Sequence, residues 1–259
     1  MERFEIHNRD GARIVGILDL PSQAQGLVFV AHGLGSSKNS PRIALIAETF
    51  LEKGFAVVRF DTTNTFGESD GDYQDATVTN YLHDLEDVIA WAKTQPWYHE
   101  PFALAGSSLG AFTTLLFSEA HPKLVRALAP VAPVVSGDLR VQAAERRDPG
   151  SIAKWREAGI RVEQNSKRPG GIERLKWNHI EDSTQYDTRT EADQLTMPVL
   201  LIVGDADDIT PQDHVRLLYD ALPEGNKRLE VVPSMGHGFS EEFFPQVKAT
   251  LSEWIDSWL

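Results

Sequence analysis

Short runs of apolar residues recur along this chain, and between most of them apolar positions return every three or four residues. Residues 2–7 and 12–19 flank a turn at 8–11 and predict a hairpin. The runs GLVFVAHG (26–33), FAVVRFD (55–61), PFALAG (101–106), LVRALAPVAP (124–133), MPVLLIVGD (197–205) and KRLEVVPSM (227–235) predict six further strands. Helical spacing lies between them. Ser40-Pro41 reads as N-cap and first helical residue, and Gly54 as the stop, so 41–53 is predicted helical. Val78, Tyr81, Leu82, Leu85, Val88, Ile89 and Ala92 share one helical face. Further helices are predicted over 109–120 and 212–222. A last one carries Phe244, Val247, Leu251, Trp254, Ile255 and Trp258 on one side. Strands that are apolar throughout and alternate with helices predict an α/β fold: a mostly parallel, eight-stranded sheet covered on both faces.

The alternation stops between 134 and 195. That stretch is polar, contains Arg146-Arg147 and Pro169-Gly170-Gly171, and holds no long buried strand. It is read as a cap inserted into a single core domain made of 1–133 and 196–259. The core has the size for one large domain, since the chain is 259 residues long. Formal net charge is −13, which disfavours phosphate backbones and anionic lipid as partners, so neither nucleic acid nor membrane is expected. The absence of cysteine excludes disulfides, thiol nucleophiles and Cys-ligated zinc. No apolar h-region opens the chain and no stretch reaches the length of a membrane span, which reads as a cytoplasmic protein. The oligomeric state is left open.

Candidate chemistry begins at GSSLG, 106–110. A strand that turns sharply into a helix strains its central residue and needs small neighbours two positions away. Ser108 at the centre has Gly106 and Gly110 as flanks. Ser107 at the centre would have Ala105 and Leu109, and leucine is too large. Ser108 is therefore the candidate nucleophile. The Leu109 amide, at the start of a helix, is half of a candidate oxyanion hole.

A serine needs a base, and the base needs an orienting group. Among eight histidines, His237 lies between Gly236 and Gly238, after the last strand. The carboxyl ends of strands are where α/β proteins bind ligands. His7 and His179 have no such setting, His83 falls on a polar helix face, and His121 reads as a helix end. The acid is sought after another strand, where Asp205, Asp207 and Asp208 stand. Asp207 is preferred, Asp205 is second, and Asp208 is expected to cap the helix after Pro211. A calcium loop is rejected, because Thr210 holds the place of the sixth-position glycine and Arg216 that of the twelfth-position glutamate. The remaining oxyanion donor is assigned to the Leu34 amide, between Gly33 and Gly35. That loop fails both phosphate-binding glycine spacings at Lys38. His32 is expected to brace it.

The order Ser108, Asp207, His237, each following a strand, with an oxyanion loop at 32–35, resembles the α/β-hydrolase superfamily. GESDGDYQDATVTNYLHDLEDVIAWAKTQP, 67–96, is similar to serine aminopeptidase-like hydrolases, a group that includes bacterial cinnamoyl and feruloyl esterases and monoacylglycerol lipases. Two features depart from that group's usual pattern: Ser107 stands where a histidine commonly precedes the nucleophile, and NTFGESDG lacks the usual Gly-His-Gly. The resemblance implies hydrolysis of a small-molecule carboxylic ester through an acyl-enzyme, with no metal or organic cofactor. Peptidase or thioesterase chemistry on the same residues, or a non-catalytic binding module, are the alternatives. Trp155, Trp177 and Tyr186 either line a substrate pocket or pack the cap. Ten Lys/Arg against five Asp/Glu between Arg140 and Lys176 suit an anionic or phenolic acyl group or, more simply, a solvated surface.

Overall fold

The computed structural model describes residues 1–165 and 169–259. Among the described residues there are ten strands: β1 (Glu2–His7), β2 (Arg13–Asp19), β3 (Gly26–Ala31), β4 (Phe55–Phe60), β5 (Phe102–Ser107), β6 (Val125–Val131), β7 (Ile160–Gln164), β8 (Ile172–Lys176), β9 (Val199–Gly204) and β10 (Lys227–Val232). Eight of them form one sheet, in the order β1-β2-β4-β3-β5-β6-β9-β10. β1 pairs antiparallel with β2 and β2 antiparallel with β4; every pair from β4 to β10 is parallel.

Successive strand side chains point to opposite faces, so a strand buried on both must be apolar at every position. On β3, Leu27 and Phe29 join one core cluster while Val28 and Val30 join another. The first cluster is closed by α2 (Val78–Ala92), α3 (Leu109–Ala120) and α7 (Gln212–Ala221), through Leu85 and Val88, Leu115, and Val215 and Leu218. The second is closed by α1 (Pro41–Glu52) and α8 (Phe244–Asp256), through Ile46, Phe50, Leu251 and Ile255. This is an α/β-hydrolase-type sheet flanked by helices. Among the described residues, no helix is long and apolar enough to cross a membrane.

Segment 134–195 adds no strand to that sheet. It forms α4 (Gly137–Arg147), α5 (Ser151–Ala158), the antiparallel hairpin β7–β8 and α6 (Asn178–Ser183). Its ends meet. Ser136 bridges Asp187, and the Thr188 amide donates to the Val135 carbonyl at 3.0 Å. A third apolar cluster seats it on the core, with Trp155, Leu175 and Ile180 against Tyr73, Leu109 and Phe112.

Two expected caps are corrected. Ser40 occupies the N-cap position of α1 with extended backbone, but its hydroxyl makes no cap bond and is buried without a partner. Asp208 does not cap α7, whose N-cap is Pro211; the neighbouring Asp207 takes the amides of Ile209 and Thr210 instead. An aspartate accepting from amides two and three residues ahead closes a local turn, and that turn ends before the helix begins.

Candidate active site

β5 delivers the chain into Ser108 at φ 55 and ψ −118, a conformation costly for any residue with a side chain. The two glycines of the motif make it attainable. A Cβ on Gly110 would stand 2.4 Å from the carbonyl oxygens of both Ala31 and His32, and one on Gly106 2.8 Å from the Gly110 carbonyl carbon. Both contacts are with backbone, which cannot swing away. The Ser108 amide is tied to the Val131 carbonyl at 2.9 Å, and its own carbonyl accepts from Phe112 as α3 starts. Leu109 is the first residue of that helix, so its amide has no acceptor within it.

His237 Nε2 lies 2.9 Å from Ser108 Oγ, and Nδ1 lies 2.9 Å from Asp207 Oδ2. The carboxylate fixes the ring: Nδ1–H donates to Asp207, which leaves Nε2 to accept from the serine hydroxyl. The Asp207 side chain is fully buried. Burial alone would favour its neutral form, but the hydrogen bond and charge of His237, with donors from Thr210, outweigh this and hold the carboxyl below its ordinary value. Three side chains separated by as many as 129 positions thus meet in one hydrogen-bonded line. Asp205, the second choice, instead braces the histidine loop: its Oδ1 accepts from the Ser234 amide at 2.6 Å.

Thr210 was not foreseen. Its hydroxyl lies 2.9 Å from Asp207 Oδ2, 3.1 Å from His237 Nδ1 and 3.2 Å from the Ala132 carbonyl, so it clasps the acid and base together. The signal was present as a threonine three residues after the aspartate, the spacing of a side-chain-capped turn.

Leu34 follows Gly33 at the end of β3 and lines the same cavity as Ser108. A Cβ on Gly33 would stand 3.1 Å from Ser108 Cβ, so a side chain there would crowd the serine. His32 braces this loop as expected. It is fully buried, Nδ1 donates to the Gly33 carbonyl at 2.8 Å, and Nε2 accepts from the Thr62 amide at 3.0 Å. Burial pushes its pKa down, which keeps the ring neutral. Beyond the loop, Lys38 is buried with its ammonium 2.5 Å from Asp61 and 2.5 Å from Glu68. Asp61 also accepts from the Lys38 and Glu68 amides. The loop carrying Leu34 and the glycine-rich loop 61–76 are thereby locked to one another.

A cavity of about 610 Å³ opens over Ser108, His237, Leu34 and Leu109. Of the three candidate aromatics of segment 134–195, Trp155 lines it, while its indole N–H donates to the Leu175 carbonyl. Trp177 and Tyr186 are off the cavity and pack the segment: Trp177 lies edge-on to Trp155, and the Tyr186 hydroxyl bonds Thr79. His179, set aside in the sequence, and Arg140, the first residue of its basic stretch, also line it. His179 is buried, bonded through Nδ1 to the Ala76 carbonyl and in contact through Nε2 with Arg140. Burial and the Arg140 charge keep its pKa well below the ordinary value. Part of the basic excess read from the sequence falls on Lys167 and Arg168, outside the described residues. Among the described residues, no group of three or more His, Asp or Glu is arranged to hold a metal.

A family model described as X-Pro dipeptidyl-peptidase (S15 family) matches residues 23–168, more than half of the chain. The chain belongs to the S15 family of the α/β-hydrolase superfamily. A second model, serine aminopeptidase, S33, matches residues 139–243 of this hydrolase. The hydrolase is 26% identical to caffeoylshikimate esterase of Arabidopsis thaliana, over 92% of this chain and 80% of the plant protein. It is 24% identical to an uncharacterized 31.7 kDa protein in the traX-finO intergenic region of Escherichia coli, over 88% and 90% of the two chains. Among solved structures it is similar to Est1E from Butyrivibrio proteoclasticus with ferulic acid bound, at a TM-score of 0.79, 22% identity and 98% coverage of both chains. That likeness extends the assignment of the hydrolase fold to both the sheet and segment 134–195.

Proposed function

We propose that this α/β hydrolase is a serine esterase that cleaves small-molecule carboxylic esters through an acyl-enzyme, with segment 134–195 as its cap. The observation that carries the reading is the unbroken line Ser108–His237–Asp207, with 2.9 Å at each link. In this mechanism Ser108 Oγ attacks the acyl carbonyl as His237 Nε2 takes its proton. Asp207 stabilises the imidazolium and preserves its orientation. The amides of Leu34 and Leu109 receive the developing oxyanion, each contributing roughly 3 kcal/mol to the transition state. His237 then protonates the leaving alcohol, and water repeats the cycle to free the acid. The esterase named among the relatives supports an ester as substrate.

The peptidase description of the matching family keeps amide hydrolysis as the second reading. A panel of nitrophenyl and hydroxycinnamate methyl esters, an aminoacyl amide and an acyl-thioester separates these chemistries. The expected result is ester turnover well above the other two, with fluorophosphonate labelling at Ser108. Labelling without ester turnover would shift the assignment to amide or thioester. Failure to label at all would leave a binding module.

A further inference from the structure

The cap arginines differ in how their charge is met. Arg146 pairs with Asp213 at 2.8 Å, and Arg189 with Asp187 at 2.5 Å. Arg161 pairs with Glu163 at 3.3 Å and lies 4.5 Å over the Trp155 ring. Arg147, on the exposed rim, reaches the Asp208 carbonyl. Arg140 stands apart. It lines the cavity over Ser108, and no carboxylate among the described residues pairs with it. Its hydrogen-bonding partner is His179, a neutral imidazole whose Nδ1 already donates to the Ala76 carbonyl.

A guanidinium held in low dielectric without a counter-charge is costly. The cost is visible here: burial, then the nearby charges of Arg161 and Arg147, push the Arg140 pKa down to about 10. The acids that share the cavity are engaged or remote. Glu163 is taken by Arg161, Glu173 hydrogen-bonds the Tyr73 hydroxyl, and Asp148 is exposed at the rim. Arg147 and Lys154 also line the cavity without a carboxylate partner among the described residues, but both are exposed at its rim. Arg140 is half-buried, and among the described residues it is the inward cation of this cavity that no carboxylate meets, a place prepared for an anion.

Building on the esterase reading, we propose that this cavity selects esters bearing a carboxylate, and that Arg140 is the residue that receives it. With Arg147 and Lys154 solvated at the rim, the charge met inside the cavity is that of Arg140, which suits the single charge of a carboxylate better than the double charge of a phosphate monoester. Arginine also presents the planar pair of donors that a carboxylate accepts. Trp155 and Ile180 supply apolar wall for the carbon skeleton between the ester and its charge.

The charge can lie on the acyl side or on the alcohol side, and two substrate pairs separate them. Mono-4-nitrophenyl glutarate is compared with 4-nitrophenyl 5-methylhexanoate, in which an isopropyl group replaces the carboxylate. On the alcohol side, 4-carboxyphenyl butyrate is compared with 4-carbamoylphenyl butyrate. In one pair, kcat/KM for the charged ester is expected to exceed that for the neutral one at least tenfold. Arg140→Gln is expected to bring that ratio close to one, and Arg140→Lys to retain most of it. Because both esters are measured on one preparation, the ratio does not move with the fraction of folded enzyme. A wild-type ratio at or below one in both pairs would overturn the proposal, as would a preference that survives Arg140→Gln. Should the Gln variant be insoluble, the wild-type ratio and the Lys variant decide. If no ester is cleaved and the fluorophosphonate leaves Ser108 unlabelled, it is the esterase reading that fails. Calorimetry with glutarate then tests the anion site directly: binding to the wild type that is lost in Arg140→Gln upholds it, and no binding overturns it.

Discussion

The strand ends and segment 134–195 face the same cavity but are built on opposite terms. At the strand ends the charges of the candidate catalytic line and of its supporting loop are answered from within the protein. Asp207 meets His237 and Thr210, and Lys38 meets Asp61 and Glu68. On the facing wall, Arg140 has no answering charge among the described residues. Groups that must hold one geometry through a reaction are best fixed in advance. A group that recognises a ligand has to remain unsatisfied until the ligand arrives. On the proposed reading, the contrast separates what catalyses from what chooses.

The sharpest way to break this contrast is to remove the proposed nucleophile. Ser108→Ala is expected to lower kcat by roughly 10⁴–10⁶-fold while leaving the thermal midpoint unchanged, read by ester turnover and calorimetry. Retained turnover would move the chemistry elsewhere. Next is Asp207→Asn, expected to cost about 10⁴ in kcat by favouring the wrong imidazole tautomer. It carries a pH signature as well. The folded-state pKa of Asp207 is depressed, so its ionisation stabilises the fold above the unfolded-state value, and this contribution fades as pH falls through the depressed one. The stability gap between wild type and variant should be widest near neutrality and close below about pH 4, as measured by urea unfolding across pH.

Lys38→Met sharpens the rim side. It leaves Asp61 buried and uncompensated and should cost roughly 3–5 kcal/mol in chemical denaturation. Glu119, on α3, tests the opposite case of a carboxyl left unmatched. Burial first, then the charges of Glu191 and Asp187, push its pKa up to about 8. The folded protein therefore keeps a proton that the unfolded chain has released, and stability falls as pH rises from the ordinary 4.5 towards 8. Glu119→Gln should match wild type at pH 4 and be more stable at pH 9, by on the order of 1–3 kcal/mol. The smallest effect is expected at the surface. Lys53→Met breaks an exposed pair with Asp256 and should change stability by under about 1 kcal/mol.

The sequence exposes this arrangement unevenly. The central strands are legible because they are apolar on both faces, β1 and β2 because a turn separates them, and Ser108 because the glycines its turn requires lie two residues away. β7 and β8 are not, since they are short, rich in charged and polar residues and, but for Leu175, without a buried position. Geometry that depends on distant partners is equally hidden. Lys38 reads as a broken phosphate motif until Asp61 and Glu68 fold against it. His179 has no visible setting until Ala76, 103 positions away, supplies its acceptor. The cap aromatics divide for the same reason. Which of Trp155, Trp177 and Tyr186 meets the cavity is decided by how α5 and α6 lie on the core.

The joined ends of segment 134–195 have a consequence for descent. Because Ser136 and Asp187 lie side by side, everything between them leaves and re-enters the fold at a single point. An insertion attached in that way can be lengthened, shortened or exchanged without altering any strand pairing in the main sheet. A lineage can therefore acquire a new preference by replacing one contiguous stretch of gene, while the residues that make and break the bond are inherited untouched.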